Sequence, residues 1–93
     1  MIIVWSRTAV ADLEEVRRYI ADDDPKAAQD IARRILEAVE QLAAFPMSGR
    51  AGRVPDTREL VVTGTPFVIP YTVRGKRIEI IAVLHSARQW PMT

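Results

Sequence analysis

The sequence contains no cysteine and a single histidine, His85, and these two scarcities remove several kinds of chemistry. Without cysteine the chain forms neither disulfides nor zinc–thiolate sites, and it has no thiol nucleophile. One histidine leaves only carboxylates as further metal ligands, and the acidic residues do not follow the spacing of a calcium-binding loop. We therefore expect neither a metal nor a cofactor.

Long hydrophobic runs are also missing. The apolar start, MIIVW, is five residues long and ends at Ser6 and Arg7. A signal peptide needs a longer apolar region, and a membrane-spanning helix needs roughly 18 to 20 apolar residues. The sequence therefore predicts a protein without a membrane segment, and the absence of cysteine is typical of the reducing cytoplasm.

Length and charge limit the domain organisation. We predict one domain over residues 1–93, because a chain of 93 residues with 48% hydrophobic side chains has room for one core only. A chain of this size buries only about 60 to 65% of its unfolded surface, so a partner protein would add stability. The net charge of +1 is uneven, with −3 in residues 1–49 and +4 in residues 50–93. This asymmetry predicts one basic face for an acidic partner, either a protein or a nucleic acid.

The first half of the sequence predicts a strand and two amphipathic helices. Residues 2–5 are β-branched or aromatic, and Ser6 then caps a helix whose apolar residues recur at intervals of three and four. Asp24 and Pro25 begin a second helix, which ends about two residues before Pro46 because proline disfavours helical geometry in the preceding residue. The short connection makes the two helices an antiparallel hairpin.

The second half predicts a loop and three strands. Residues 46–57 contain two glycines, two prolines and two arginines without apolar periodicity, which indicates a loop. Strand-like runs follow at 58–63, 66–73 and 77–85, and their short connections favour an antiparallel meander. Pro70 has no N–H to donate, so its strand must bulge there or direct that position to an unpaired side. The fold class is therefore α+β: an N-terminal strand, an antiparallel helical hairpin and a three-stranded antiparallel meander.

Basic and aromatic side chains in this half are compatible with two functions. Cleavage of RNA without a metal needs a general base, a general acid and cations that stabilise the charge on the phosphate. His85 can exchange a proton near neutral pH, and Tyr71 or Trp90 can stack on a base. The same arginines can instead bind a protein, because guanidinium groups pair with carboxylates through two hydrogen bonds. The candidate arginines are Arg50, Arg53, Arg58, Arg74 and Arg88.

Four segments carry a resemblance that covers essentially the whole chain. They are VWSRTAVADLEEVRRYI, FPMSGRAGRVPDTREL, IPYTV and VLHSARQWP. In this order and spacing they resemble the ParE/RelE superfamily of bacterial type II toxins, whose fold is a helical hairpin on an antiparallel sheet. The resemblance therefore implies the same fold class that the periodicity predicts.

The superfamily has two branches that act differently. RelE-like toxins cleave messenger RNA in the ribosomal decoding site, and resemblance to that branch would give catalytic roles to Arg58, His85 and Arg88. ParE-like toxins poison DNA gyrase, are neutralised by a ParD-like antitoxin and have no catalytic residue. The ParE-like branch fits better, since the opening WSRTAVADL and the ending HSARQWP are similar to it. The lysine cluster and the C-terminal tyrosine of a nuclease are missing.

The resemblance implies a toxin that acts by binding and does not contact DNA directly. We expect an acidic ParD-like antitoxin segment to fold on the basic half, as a helix in a hydrophobic groove or as a strand on an open sheet edge. The complex would be a hetero-oligomer built on an antitoxin dimer, with DNA gyrase as the target. A ribosome-dependent mRNA endonuclease and a non-toxic antitoxin-binding module are the alternatives. The predicted recognition residues are Arg50, Arg53, Arg58, Arg74, His85, Arg88 and Trp90.

Overall fold

The structure, a computed structural model, describes residues 1–87. One strand precedes two helices, and five strands follow them. The elements are β1 (Ile2–Trp5), α1 (Arg7–Ala21), α2 (Pro25–Glu40) with a 3-10 turn (Gln41–Ala43), β2 (Arg50–Ala51), β3 (Arg58–Val61), β4 (Phe67–Arg74), β5 (Arg77–Ile80) and β6 (Leu84–His85).

Both helices begin at the predicted capping residues. The Ser6 hydroxyl accepts a hydrogen bond from Ala9 N at 3.0 Å, and the Asp24 carboxylate accepts bonds from Lys26 N and Ala27 N at 3.1 Å. These side chains satisfy N–H groups that have no partner within the first helical turn. The two helices contact each other as the predicted hairpin, and the 3-10 turn extends the helical backbone nearly to the predicted end.

The sheet has the strand order β1-β5-β4-β3-β2, and β6 pairs with β4. Strands β3, β4 and β5 form the predicted antiparallel meander. Strand β1 pairs with β5 in the parallel direction, which places the N-terminal strand at the edge of the sheet. The predicted α+β fold class is thus confirmed, and the structure adds the pairing of β1.

Two predicted boundaries are wrong. The stretch 46–57, predicted as a loop, contains β2, a two-residue strand antiparallel to β3. So short a strand has no periodicity to detect, and it forms only because β3 lies beside it. The predicted strand 77–85 is divided into β5 and β6 by residues 81–83.

The division of the last strand follows from Pro70. The Pro70 carbonyl accepts a hydrogen bond from Ile81 N at 2.9 Å, but proline has no N–H to return a bond to the Ile81 carbonyl. The Ser6 hydroxyl donates to that carbonyl instead, at 2.9 Å, and the Asp12 carboxylate accepts a bond from Val83 N at 3.0 Å. Ser6, the cap of α1, therefore replaces the ladder bond that Pro70 cannot make, and Asp12 of α1 binds the strand just beyond it. The irregularity predicted at Pro70 is confirmed.

The core lies between the helical hairpin and one face of the sheet. Each of its aliphatic side chains contributes about 1.5–3 kcal/mol through burial. The opposite, outer face of the sheet carries alternate residues of each strand, including Pro70 of β4. Within residues 1–87, neither helix is long and apolar enough to cross a membrane. The fully buried core side chains include Ile35, Val39, Leu42, Val62, Ile69, Tyr71, Ile78 and Ile80.

Replacement of Ser6 by alanine removes two hydrogen bonds, the cap of α1 and the bond to the Ile81 carbonyl. We expect Ser6→Ala to lower the free energy of unfolding by about 1–3 kcal/mol, measured by urea denaturation. Ser6→Thr keeps the hydroxyl and should cost about 0.5 kcal/mol or less. Equal stability of the two variants would contradict the bridging role of Ser6.

Candidate functional site

A small cleft on the outer face of the sheet brings three of the predicted recognition residues together. We call it the basic cleft, because Arg50, Arg53 and His85 lie around it. Two other predicted residues, Arg58 and Arg74, do not line it. The loop between β2 and β3 forms one wall, and the turn after β6 forms the other. Its lining residues are Arg50, Arg53, Glu59, Val68, Pro70, Leu84, His85 and Ser86.

A buried carboxylate organises the arginine side of this cleft. Glu59 Oε1 accepts bonds from Arg50 Nε at 3.3 Å and Nη2 at 3.1 Å, and Oε2 accepts a bond from Arg53 N at 3.2 Å. The Glu59 side chain is 8% exposed, whereas that of Arg50 is 59% exposed. Glu59 therefore fixes the direction of the Arg50 guanidinium and leaves much of its surface open to a ligand.

Arg58 has a structural task in this geometry. Its Nη1 donates to the carbonyls of Gly49, at 2.7 Å, and Met47, at 3.2 Å. The buried Tyr71 hydroxyl holds the same segment, since it donates to the Pro46 carbonyl at 2.8 Å and accepts a bond from Gly49 N at 2.9 Å. Together the two side chains fix the chain that leads into β2, and a recognition role for Arg58 stays a prediction.

Gly49 is required by this close approach. A Cβ atom at position 49 would lie 2.6 Å from the Tyr71 hydroxyl and 2.7 Å from its ring, distances that side chains do not tolerate. The sequence signal for the contact is the glycine after Pro46 and the tyrosine after Pro70. Neither feature alone indicates that the two segments meet.

Arg74 lies at the other end of β4, away from the basic cleft. Its Nε pairs with Glu79 Oε1 at 3.0 Å, and Arg77 pairs with the second oxygen of the same carboxylate at 3.2 Å. All three side chains lie beside the short β4–β5 turn and are partly or largely exposed. The structure therefore does not join Arg74 to the other predicted recognition residues.

His85 lies at the boundary between two surfaces. Its Nδ1 accepts a bond from Ala87 N at 3.1 Å, and its ring meets the edge of Phe67 at a centroid distance of 5.7 Å. The remaining two predicted residues, Arg88 and Trp90, lie outside the described part of the chain.

A second surface lies on the helix side of His85. The sequence predicts a hydrophobic groove but does not identify the residues that line it. This apolar groove runs between α1 and the edge formed by the start of β4 and the residues around β6. Tyr19, one of the residues that line it, is 79% exposed. The position of Tyr19 next to the buried stripe of α1 is the only sequence signal for the groove. Its lining residues are Asp12, Glu15, Val16, Tyr19, Ile20, Ile31, Pro66, Phe67, Val83 and His85.

Residues 1–87 contain no group of three histidine, aspartate or glutamate side chains arranged to hold a metal ion. The chemistry available in the basic cleft is therefore that of its arginines, one imidazole and one buried carboxylate.

Neutralisation of Glu59 tests the organisation of the cleft. We expect Glu59→Gln to lower the free energy of unfolding by about 1–2 kcal/mol, because a neutral amide binds the guanidinium of Arg50 less strongly than a carboxylate does. Urea denaturation measures the loss, and the exposed Glu40→Gln is the matched control, with a change within about 0.5 kcal/mol. A loss no larger than that of the control would show that Glu59 does not hold the cleft together.

The comparisons with known proteins agree with this fold. The family model described as the ParE toxin of the type II toxin–antitoxin system parDE matches residues 3–90. The putative toxin Y4kP of Sinorhizobium fredii is 45% identical over 89 residues, which are 96% of this chain and 92% of that protein. Toxin RelE2 of Caulobacter vibrioides is 41% identical over 86 residues, which are 92% of this chain and 96% of that protein.

A solved structure extends the likeness to three dimensions. A chain in the structure of the chromosomal ParDE toxin–antitoxin system from P. aeruginosa superimposes with a TM-score of 0.81 at 33% identity, over 91% of this chain and 95% of that one. The family model and the relatives each span most of the sequence. The chain therefore belongs to the ParE toxin family of type II toxin–antitoxin systems.

Proposed function

We propose that this toxin acts by binding DNA gyrase and that a ParD-like antitoxin neutralises it. The observation that carries the proposal is the composition of the basic cleft, in which Glu59 already occupies one side of Arg50. A buried carboxylate at this position repels a phosphate but orients a guanidinium toward a protein carboxylate. Because gyrase acts inside the cell, this function places the toxin in the cytoplasm.

Catalysis is less compatible with the same geometry. Acid–base cleavage needs two proton-transferring groups on either side of the reacting phosphate. Among the described residues of the cleft, His85 is the one imidazole, and its Nδ1 already accepts a backbone N–H. The only other titratable side chain beside the arginines is Glu59, which binds Arg50 and the Arg53 backbone. We therefore infer that the toxin binds its target without catalysing a reaction.

Two surfaces support the proposed antitoxin partner. The apolar groove has the largely apolar lining that an amphipathic helix needs, and the exposed arginines of the basic cleft complement an acidic segment. The similar solved structure bears the name of a ParDE system, which supports a ParD-like partner for this chain. A hetero-oligomer around an antitoxin dimer, in which the antitoxin contacts DNA, follows from the same proposal.

An mRNA endonuclease is the second candidate. One relative carries the name RelE2, and the cleft does bring Arg50, Arg53 and His85 together. A ribosome-dependent nuclease would produce new mRNA ends at codon positions after induction, detected by primer extension. In that case His85→Ala would abolish the new ends while the protein stays folded. His85 is a sharper probe than Arg58, because the loss of Arg58 also releases the segment before β2.

Removal of the cleft arginines tests the gyrase proposal. Purified toxin should trap gyrase on plasmid DNA as cleaved product, and the Arg50→Ala, Arg53→Ala double variant should need at least about 10-fold more protein, equivalent to about 1.4 kcal/mol of binding. The matched control removes two exposed arginines of α1, Arg17 and Arg18, and should leave the activity unchanged.

Several outcomes would contradict the gyrase proposal. If the toxin inhibits supercoiling at no concentration but produces codon-positioned mRNA ends, the nuclease candidate replaces it. Growth that is unaffected by induction would identify a non-toxic antitoxin-binding module. Equal loss in the cleft variant and the α1 control would show that general positive charge, rather than the cleft, binds gyrase.

A further inference from the structure

Strand β1 has hydrogen-bonding groups that point away from the sheet. It pairs with β5, and no strand lies on its other side among residues 1–87. The amides of Ile2 and Ser6 donate to carbonyls in or next to β5, both at 3.0 Å. Because successive residues of a strand direct their N–H and C=O groups to opposite sides, the backbone groups of Ile3 and Trp5 point to the open edge. These groups can pair with a further strand.

The side chains of β1 make this edge apolar. Met1, Ile2 and Val4 are 46%, 69% and 41% exposed. Ile2 and Val4 lie on the outer face of the sheet, beside Arg77 and Glu79 of β5. The strand itself contains neither a proline nor a charged side chain, which are features that keep edge strands from pairing with other chains.

The opposite edge of the sheet has such protection. Strand β2 is two residues long, carries the charged Arg50 and lies between Gly49 and Gly52. A short, charged edge strand gives a second chain few backbone groups with which to pair. Of the two outer strands in the described sheet, β1 is therefore the one suited to pairing between chains.

A second copy of the chain complements β1 when the two strands run antiparallel with Ile3 at the two-fold axis. Ile3 then faces Ile3 of the second copy in a hydrogen-bonded pair, as its outward N–H and C=O groups require. Each Ile2 lies opposite Val4 of the second copy, and each Met1 lies opposite Trp5. The exposed apolar side chains of β1 thus gain apolar neighbours on the same face of the sheet.

The neighbouring register fits less well. A two-fold axis at Val4 would place Ile2 opposite Ser6, the cap of α1, and Met1 opposite the charged Arg7. The register centred on Ile3 keeps both polar residues outside the paired segment. It is therefore the register in which this edge complements itself.

We propose that the toxin forms a symmetric dimer in which the β1 strands of two copies pair in the register centred on Ile3. The two sheets become one continuous sheet, with the short β2 strands at its ends, so assembly stops at two copies. About five residues of each copy take part, compared with roughly 20 to 30 per side in a standard interface. The dimer is therefore weak, with a Kd above about 1 µM. Its formation needs neither gyrase nor an antitoxin.

Sedimentation equilibrium of the untagged toxin tests the proposal. The mass should rise with concentration from 10.5 kDa to twice that value. The double variant Ile2→Lys, Val4→Lys places like charges opposite each other and should raise the Kd at least about 10-fold. The double variant Ile2→Glu, Val4→Glu should behave in the same way. An equimolar mixture of the two variants should again form dimers, because each lysine then lies opposite a glutamate, and this recovery also shows that both variants are folded.

The matched control for these variants is Val61→Lys. Val61 is 49% exposed and lies on the same outer face, but in β3, two strands from β5 and away from the open edge. Its replacement should leave the Kd within about 2-fold of that of the unsubstituted toxin.

An introduced cysteine reports the register, because the sequence contains no cysteine of its own. Position 3 faces itself across the two-fold axis with Cα atoms about 5.5 Å apart, a separation that a disulfide spans. Mild oxidation should therefore link two copies of Ile3→Cys through a disulfide. The control Val61→Cys should stay unlinked under the same conditions. If Ile3→Cys does not fold, the mixture of the charged variants decides the question.

Four outcomes would overturn the proposal. A monomer at every concentration would leave the edge of β1 to a strand from another protein. A dimer that both charged variants retain would lie elsewhere on the surface, and a dimer that Val61→Lys weakens equally would involve the outer face rather than the edge. Assemblies larger than two copies would show unspecific association. None of these measurements involves gyrase or an antitoxin, so their result is separate from that of the proposed function.

Discussion

The missing N–H of Pro70 is the constraint on which both candidate surfaces depend. It interrupts the pairing of the last long strand, and Ser6, the cap of α1, and Asp12 of α1 provide hydrogen bonds at the interruption. The same two contacts attach α1 to the sheet over a sequence separation of 75 and 71 residues. On one side of the interruption Pro70 forms part of the basic cleft, and on the other Asp12 and Val83 form part of the apolar groove. A continuous strand would leave neither surface in its present shape.

Arginine serves two purposes in this part of the sheet. The guanidinium of Arg58 donates to backbone carbonyls and so stabilises the fold. Arg50, by contrast, is held in place by Glu59 and remains largely exposed. Neighbouring residues of β3 point to opposite faces of the sheet. Arg58, which supports the fold, shares a face with the buried Tyr71, whereas Glu59, which belongs to the basic cleft, shares a face with Pro70. A count of basic residues cannot make this distinction, because it depends on which side of β3 each residue occupies.

Local features were predictable from the sequence, and long-range ones were not. The caps at Ser6 and Asp24, the helical periodicity and the irregularity at Pro70 depend on neighbouring residues, and all are found in the structure. The strand β2 and the parallel pairing of β1 depend on partners far along the chain. Of the candidate site, the arginines and His85 were identifiable by residue type. The tasks of Glu59 and Tyr71, and the groove beside Tyr19, arise only when distant segments meet.

The opposite charges of the two surfaces limit what can bind across them. His85 borders both, so a ligand chain that contacts the groove and the cleft passes over this residue. Such a chain meets carboxylates from Asp12 and Glu15 on the helix side and guanidinium groups from Arg50 and Arg53 on the outer face. Electrostatic complementarity then requires apolar and basic residues in one part of the ligand and acidic residues in the next. A uniformly acidic segment complements only the cleft. The +4 charge of residues 50–93 therefore indicates what binds the cleft but not what binds the groove.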